Sequence, residues 1–121
     1  MTSTNELLYL CLVRKGRKRS LFVSDENIDN AIAEVTGFTV EELQQKIRLR
    51  THVLPRQVGM FFYLCAGYSL EQTGIRFHRD HATVVHSRKA VMNFYGQPAE
   101  KRLTQYVDRI SELTRIETGL K

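Results

Sequence analysis

Beyond residue 24, apolar residues return at helical spacing along most of the chain. Ile28, Ala31, Ile32 and Val35 predict an amphipathic helix over 27–35. It is entered through Ser24-Asp25-Glu26-Asn27 and stopped at Thr36-Gly37, where glycine suits a left-handed cap. Thr39 caps a second short helix from Val40 to about Lys46, with Glu41 and Glu42 in the first turn where the helix dipole favours acids. Ile47 to Leu54 reads as a basic loop. Pro55 suits a first helical position, and Val58, Met60, Phe61, Leu64 and Cys65 continue a third helix up to Gly67. Ser69-Leu70-Glu71-Gln72 fits a capping box that opens a helix running to about Phe77. After His78-Arg79, Asp80 can cap a further helix with Val84 and Val91 facing inward, continuing to Tyr95 before Gly96. Pro98 opens a last helix with Leu103, Tyr106, Val107, Ile110 and Leu113 on one side.

The first 23 residues fit no single pattern. Glu6 to Val13 is Leu-rich and favours a helix, while Leu7–Val13, a Gly-containing basic turn and Leu21-Phe22-Val23 also read as a hairpin. The chain thus divides into a basic N-terminal extension, 1–23, and a mostly helical domain, 24–121. At 121 residues it supports one domain with one core. No apolar run reaches the roughly 18 residues of a bilayer span, and no secretory signal pattern opens the chain, so a cytoplasmic location is expected. Cys11 and Cys65 share no metal-ligand spacing and read as free, buried thiols of a reducing compartment rather than a disulfide.

Charge changes the picture more, because the net +5 is segregated along the chain. Residues 1–19 hold five cations against Glu6, and residues 20–45 hold six acids and no cation. Residues 46–89 then carry Lys46, Arg48, Arg50, Arg56, Arg76, Arg79, Arg88 and Lys89 against only Glu71 and Asp80, a net +6. That block coincides with two short helices joined by a tight connector, which is a helix-turn-helix. His81, Ala82 and Thr83 stand at the start of the second helix, where such folds present side chains to base edges in the major groove. A basic face at that place is the footprint of phosphate binding.

The stretch Arg79-Asp80-His81-Ala82-Thr83-Val84-Val85-His86-Ser87-Arg88-Lys89, with Pro55-Arg56-Gln57 upstream, resembles the C-terminal double-stranded-DNA-binding domain of the bacterial replication initiator DnaA. The resemblance covers about Asn27 to Ile110 and rests on two motifs in order, P-R-Q and R-D-H-x-T-V-x-H-x-x-[RK]. It implies an all-α fold, a helix-turn-helix of the DnaA C-terminal (Trp-repressor-like) type. The resemblance implies Arg48 in a minor groove, where a narrow A·T-rich site suits a guanidinium, or on a phosphate. It also implies Asp80, His81, Ala82 and Thr83 at base edges, and Lys46, Arg50, Arg56, Ser69, Arg79, His86 and Lys89 at phosphates, setting register. In that family the segment matching residues 1–23 is a linker helix; Arg14, Lys15, Arg17, Lys18 and Arg19 either extend the DNA contact or solubilise a connector.

Several positions depart from the pattern. Ala82 stands where the family has Ser or Thr, Phe77-His78 where it usually has a Gly pair, Glu71 where Pro is common, and Thr73 where an apolar residue is usual. No G-x-x-x-x-G-K-[ST] loop is present, so no ATPase is expected. His78-Arg79-Asp80 opens like a kinase catalytic loop, but the Asn expected five after the Asp is Val85. His81 and His86 lie about 140° apart around a helix, a poor metal-chelating pair. The expectation is therefore a stand-alone, non-enzymatic module of replication or transcription that binds duplex DNA sequence-specifically. No cofactor, metal, membrane or small-molecule substrate is expected. The alternative is a protein-interaction module that keeps the fold without base reading and holds a protein partner through its N-terminal segment.

Overall fold

The computed structural model describes residues 24–46 and 50–120, and these are all-α. The elements are α1 (Asp25–Thr36), α2 (Val40–Leu43), α3 (Arg50–Cys65), α4 (Leu70–Phe77), α5 (His81–Phe94), a 3₁₀ turn (Pro98–Glu100) and α6 (Lys101–Thr114). The expectations for residues 1–23, including Cys11 and the basic run Arg14–Arg19, lie outside the described residues.

The predicted caps Thr39, Ser69 and Asp80 form, and Ser24, within the expected entry segment, caps α1. Ser24, Thr39, Ser69 and Asp80 accept from the backbone N–H three residues on, and Thr39 with Glu42 and Ser69 with Gln72 complete capping boxes. These bonds satisfy donors that a helix start leaves without partners. α3 is the central helix. Val58, Phe62 and Leu64 are fully buried, and α1, α4, α5 and α6 pack around it with Ile28, Ile32, Phe77, Val84, Val91 and Ile110. Cys65 is buried among these residues, and burial pushes its thiol pKa up. Phe77 sets the closest approach. A Cβ on Gly59 would lie 3.0 Å from the Phe77 ring, so the glycine lets α3 and the end of α4 meet.

The structure differs from the sequence reading at several places: α1 begins two residues earlier than expected, at Asp25, and Pro98 opens a 3₁₀ turn, with α6 itself starting at Lys101. α3 begins at Arg50 and carries Pro55 inside it rather than at its first position. Proline there forgoes one bond to the Thr51 carbonyl; the preceding turn is held by His52 stacked on Phe38, ring centroids 4.4 Å apart, and by Leu54 against the core. α2 stops at Leu43 instead of reaching Lys46: the Gln45 N–H bonds the Glu42 carbonyl three residues back rather than continuing the α-helical ladder, and the carbonyls of residues 43–45 accept from arginines from elsewhere, described below. Leu113 is exposed, and Thr114 takes the inward position at the end of α6, its hydroxyl donating to the Ile110 carbonyl at 2.8 Å.

Four helices meet at a polar cluster that periodicity does not reveal. Tyr63 of α3 donates its hydroxyl to Asp29 of α1. Arg76 of α4 donates through Nε to Tyr63 at 3.2 Å and through Nη2 to Asp29 and to Glu41 of α2. Burial and the Asp29 contact raise the Tyr63 pKa, and a backbone hydrogen bond, with that from Arg76, holds Glu41 below the usual carboxylate range. Thr73 on α4 has the opposite character: it is fully buried and its hydroxyl has no partner. Thr73→Val keeps the shape and removes the stranded hydroxyl, so chemical denaturation should show a gain of about 1 kcal/mol. A loss of stability would mean that the hydroxyl is satisfied.

Candidate nucleic-acid interface

α5 divides cleanly between two sides. Val84, Ser87 and Val91 are buried, whereas His81, Ala82, His86, Lys89 and Asn93 are exposed. At 100° per residue these five span an arc of about 140° on the side away from the core, and Phe94, exposed at the helix end, lies outside it. Asp80 precedes them as N-cap, Oδ1 accepting from the Thr83 amide at 2.8 Å. Hydrogen bonds from the Thr83 hydroxyl and amide hold the Asp80 carboxyl below its ordinary range, so the cap persists as pH falls until that lowered value is crossed. Thr83 itself is half-buried.

The turn before α5 is built from four carbonyls and their partners. The last turn of α4 would leave Gly74, Ile75, Arg76 and Phe77 carbonyls unpaired. Arg79 N–H donates to Gly74 at 2.8 Å and His78 N–H to Ile75 at 3.3 Å. His78 adopts φ 55° and ψ 46°, so this is a Schellman cap with histidine at the left-handed position that glycine usually occupies. Gln44 Nε2 donates to the Arg76 carbonyl at 2.7 Å, and Arg79 Nη1 to the Phe77 carbonyl at 3.2 Å. The chain passes so close that a Cβ on Gly74 would sit 2.5 Å from the Arg79 carbonyl oxygen.

The residues expected at DNA fall into three groups. Lys46, Ser69, His81, Ala82, His86 and Lys89 are exposed, as is Asp80; Ser69 and Asp80 stand at the N-termini of α4 and α5. Arg48 and the side chain of Arg50 lie outside the described residues. Arg56 and Arg79, expected at phosphates, are committed to protein carbonyls. Arg56 is 8% exposed, with Nε donating to the Leu43 carbonyl at 2.9 Å and Nη2 buried without a partner. Burial, reinforced by Arg79, lowers the Arg56 pKa. Arg79 donates through Nη1 to Gln44, Phe77 and His78 and through Nη2 to Gln45, all at 2.9–3.2 Å. With Arg76 paired to Asp29 and Glu41, the basic block contributes fewer outward cations than its charge suggests. Gln44 was missed by the sequence reading, and its position just past α2 carries no signal for its role.

Two short capped helices in a locked turn, the second with an outward polar and basic face, define a helix-turn-helix domain. A family model described as bacterial dnaA protein helix-turn-helix matches residues 26–91. The chain belongs to that family. It is 35% identical over 96 residues to the chromosomal replication initiator protein DnaA of Wolbachia pipientis wMel, covering 78% of this chain and 20% of that protein. It is 33% identical over 104 residues to the protein of the same name from Wolbachia sp. subsp. Brugia malayi, covering 84% and 21%. For that of Geobacter sulfurreducens the values are 34% over 103 residues, covering 82% and 22%. The chain spans about a fifth of the length of these relatives. No solved structure matches it. Among the described residues no helix is long and apolar enough to cross a membrane.

Proposed function

We propose that the domain binds duplex DNA sequence-specifically, with α5 in the major groove, in the service of replication or of transcription. The observation that carries this reading is the exposed arc of α5, in which His81 and Ala82 open the helix and His86 and Lys89 follow on the same side. The N-terminal turn reads bases, and the later His86 and Lys89 hold phosphates. Asp80 accepts from a cytosine amino group with the carboxylate capacity its cap leaves over, and Thr83 supports that carboxylate more than it reaches a base. Lys46, Arg50, Ser69, His86 and Lys89 hold the backbone. Arg48 enters an A·T-rich minor groove.

Selection from a pool of random duplexes tests the reading, with an enriched motif expected and none expected for a protein-interaction module. On the selected site His81→Ala should lower affinity by about 1–3 kcal/mol while leaving binding to scrambled duplex nearly unchanged. Ala82→Thr, which supplies the hydroxyl more usual in the family, should shift the preferred sequence without unfolding the domain, since both residues are compatible with a first helical turn. Unchanged preferences in both variants would remove α5 from the groove.

A further inference from the structure

We propose that Arg79 is a positioning residue, a guanidinium clamp that locks the chain leaving α2 against the turn entering α5 and so sets the spacing of the two parts of the DNA-binding face. The inference rests on the duplex-binding reading for its purpose but not for its geometry. Arg79 lies between two helix ends that both present unpaired carbonyls, and it bridges them. Nη1 reaches Gln44 on one side and Phe77 and His78 on the other, while Nη2 reaches Gln45. Gln44 completes the staple from the opposite direction through Nε2 to the Arg76 carbonyl, and Arg56 holds the adjoining Leu43 carbonyl from below. No carboxylate takes part in these bonds, so each partner is a fixed backbone oxygen.

The clamp ends one residue before exposed Lys46 and begins one residue before Asp80, so a single side chain ties the entry to the basic segment to the start of the recognition helix. A planar fork with five donors can serve carbonyls on two segments at once; an ammonium on a flexible stem cannot hold the same geometry. This predicts that Lys is no substitute for Arg79, whereas at a plain phosphate contact Lys would serve.

Two measurements decide it. In wild-type protein without DNA, the Arg79 guanidinium N–H groups should give resolved, slowly exchanging NMR signals that stay in place when a saturating scrambled or selected duplex is added. Signals that appear or move strongly only with duplex would overturn the clamp in favour of a phosphate contact. Arg79→Lys and Arg79→Gln should each lower the preference for the selected over the scrambled site by about tenfold, the scale of one lost base contact. Retention of that preference within twofold by Arg79→Lys, with loss in Arg79→Gln, would overturn the proposal. If either variant fails to fold, the wild-type NMR result stands alone as the test. If wild-type protein binds no duplex, the free-protein signals still report on the clamp, and the duplex-binding reading fails separately.

Discussion

Gly74→Ala is expected to destabilise the domain by about 3 kcal/mol, the upper end for overpacking, and to shift the turn that carries Asp80. In an exposed helix interior the same change stabilises by about 1 kcal/mol, because alanine is the better helix former. Here the sign reverses. The added methyl would lie 2.5 Å from the backbone oxygen of Arg79, which cannot swing aside as a side-chain tip can. The Arg79 peptide is held by its own N–H on the Gly74 carbonyl at 2.8 Å, and its carbonyl leads directly into the N-cap of α5. Relief of the clash therefore moves α5 or breaks the cap of α4. Denaturant unfolding read by circular dichroism checks it, and a stabilised variant would show that the turn is looser than its geometry.

Duplex affinity is expected to fall about a hundredfold between 50 and 200 mM salt. About four phosphates neutralised, by Lys46, Lys89 and the proposed contacts Arg48 and Arg50, give a log–log slope near −4, since each contributes about −0.9. The charge of the 46–89 block, eight cations against two acids, would suggest a steeper dependence. It overstates the contact because Arg56 and Arg79 are spent on carbonyls and Arg76 on Asp29 and Glu41. Titrations at four or five salt concentrations with one duplex measure the slope. A value near −7 would put Arg56, Arg76 and Arg79 on phosphates after all, and a value near zero would remove the electrostatic basis of the proposed function.

The order of the helices and the place of the helix-turn-helix were legible in the residues themselves. Local rules suffice for these: Ser24, Thr39, Ser69 and Asp80 announce helix starts by side chains that reach only three residues along the chain. The inward side of α5 followed from the same kind of reasoning, Val84 and Val91 being seven residues apart and both fully buried. The motif that carries the family resemblance is likewise local, eleven consecutive residues from Arg79 to Lys89.

What only the tertiary structure decided is the use of long polar side chains. Arg56, Arg76, Arg79, His86 and Lys89 look alike along the chain, as long polar side chains in one basic block. Three turn to partners 13 to 47 residues away, while His86 and Lys89 lie on the exposed side of α5. An arginine goes where unpaired acceptors converge, and those acceptors arise only once α2, α3 and α4 have brought their ends together. The same holds for the turn before Pro55, where His52 meets Phe38 of another segment, and for Gly74, whose missing side chain matters because Arg79 crosses above it. Periodicity and capping are determined within one turn of helix and are therefore written in sequence. Which cations stay outward and which hold the fold depends on contacts between helices, and no spacing along the chain encodes it.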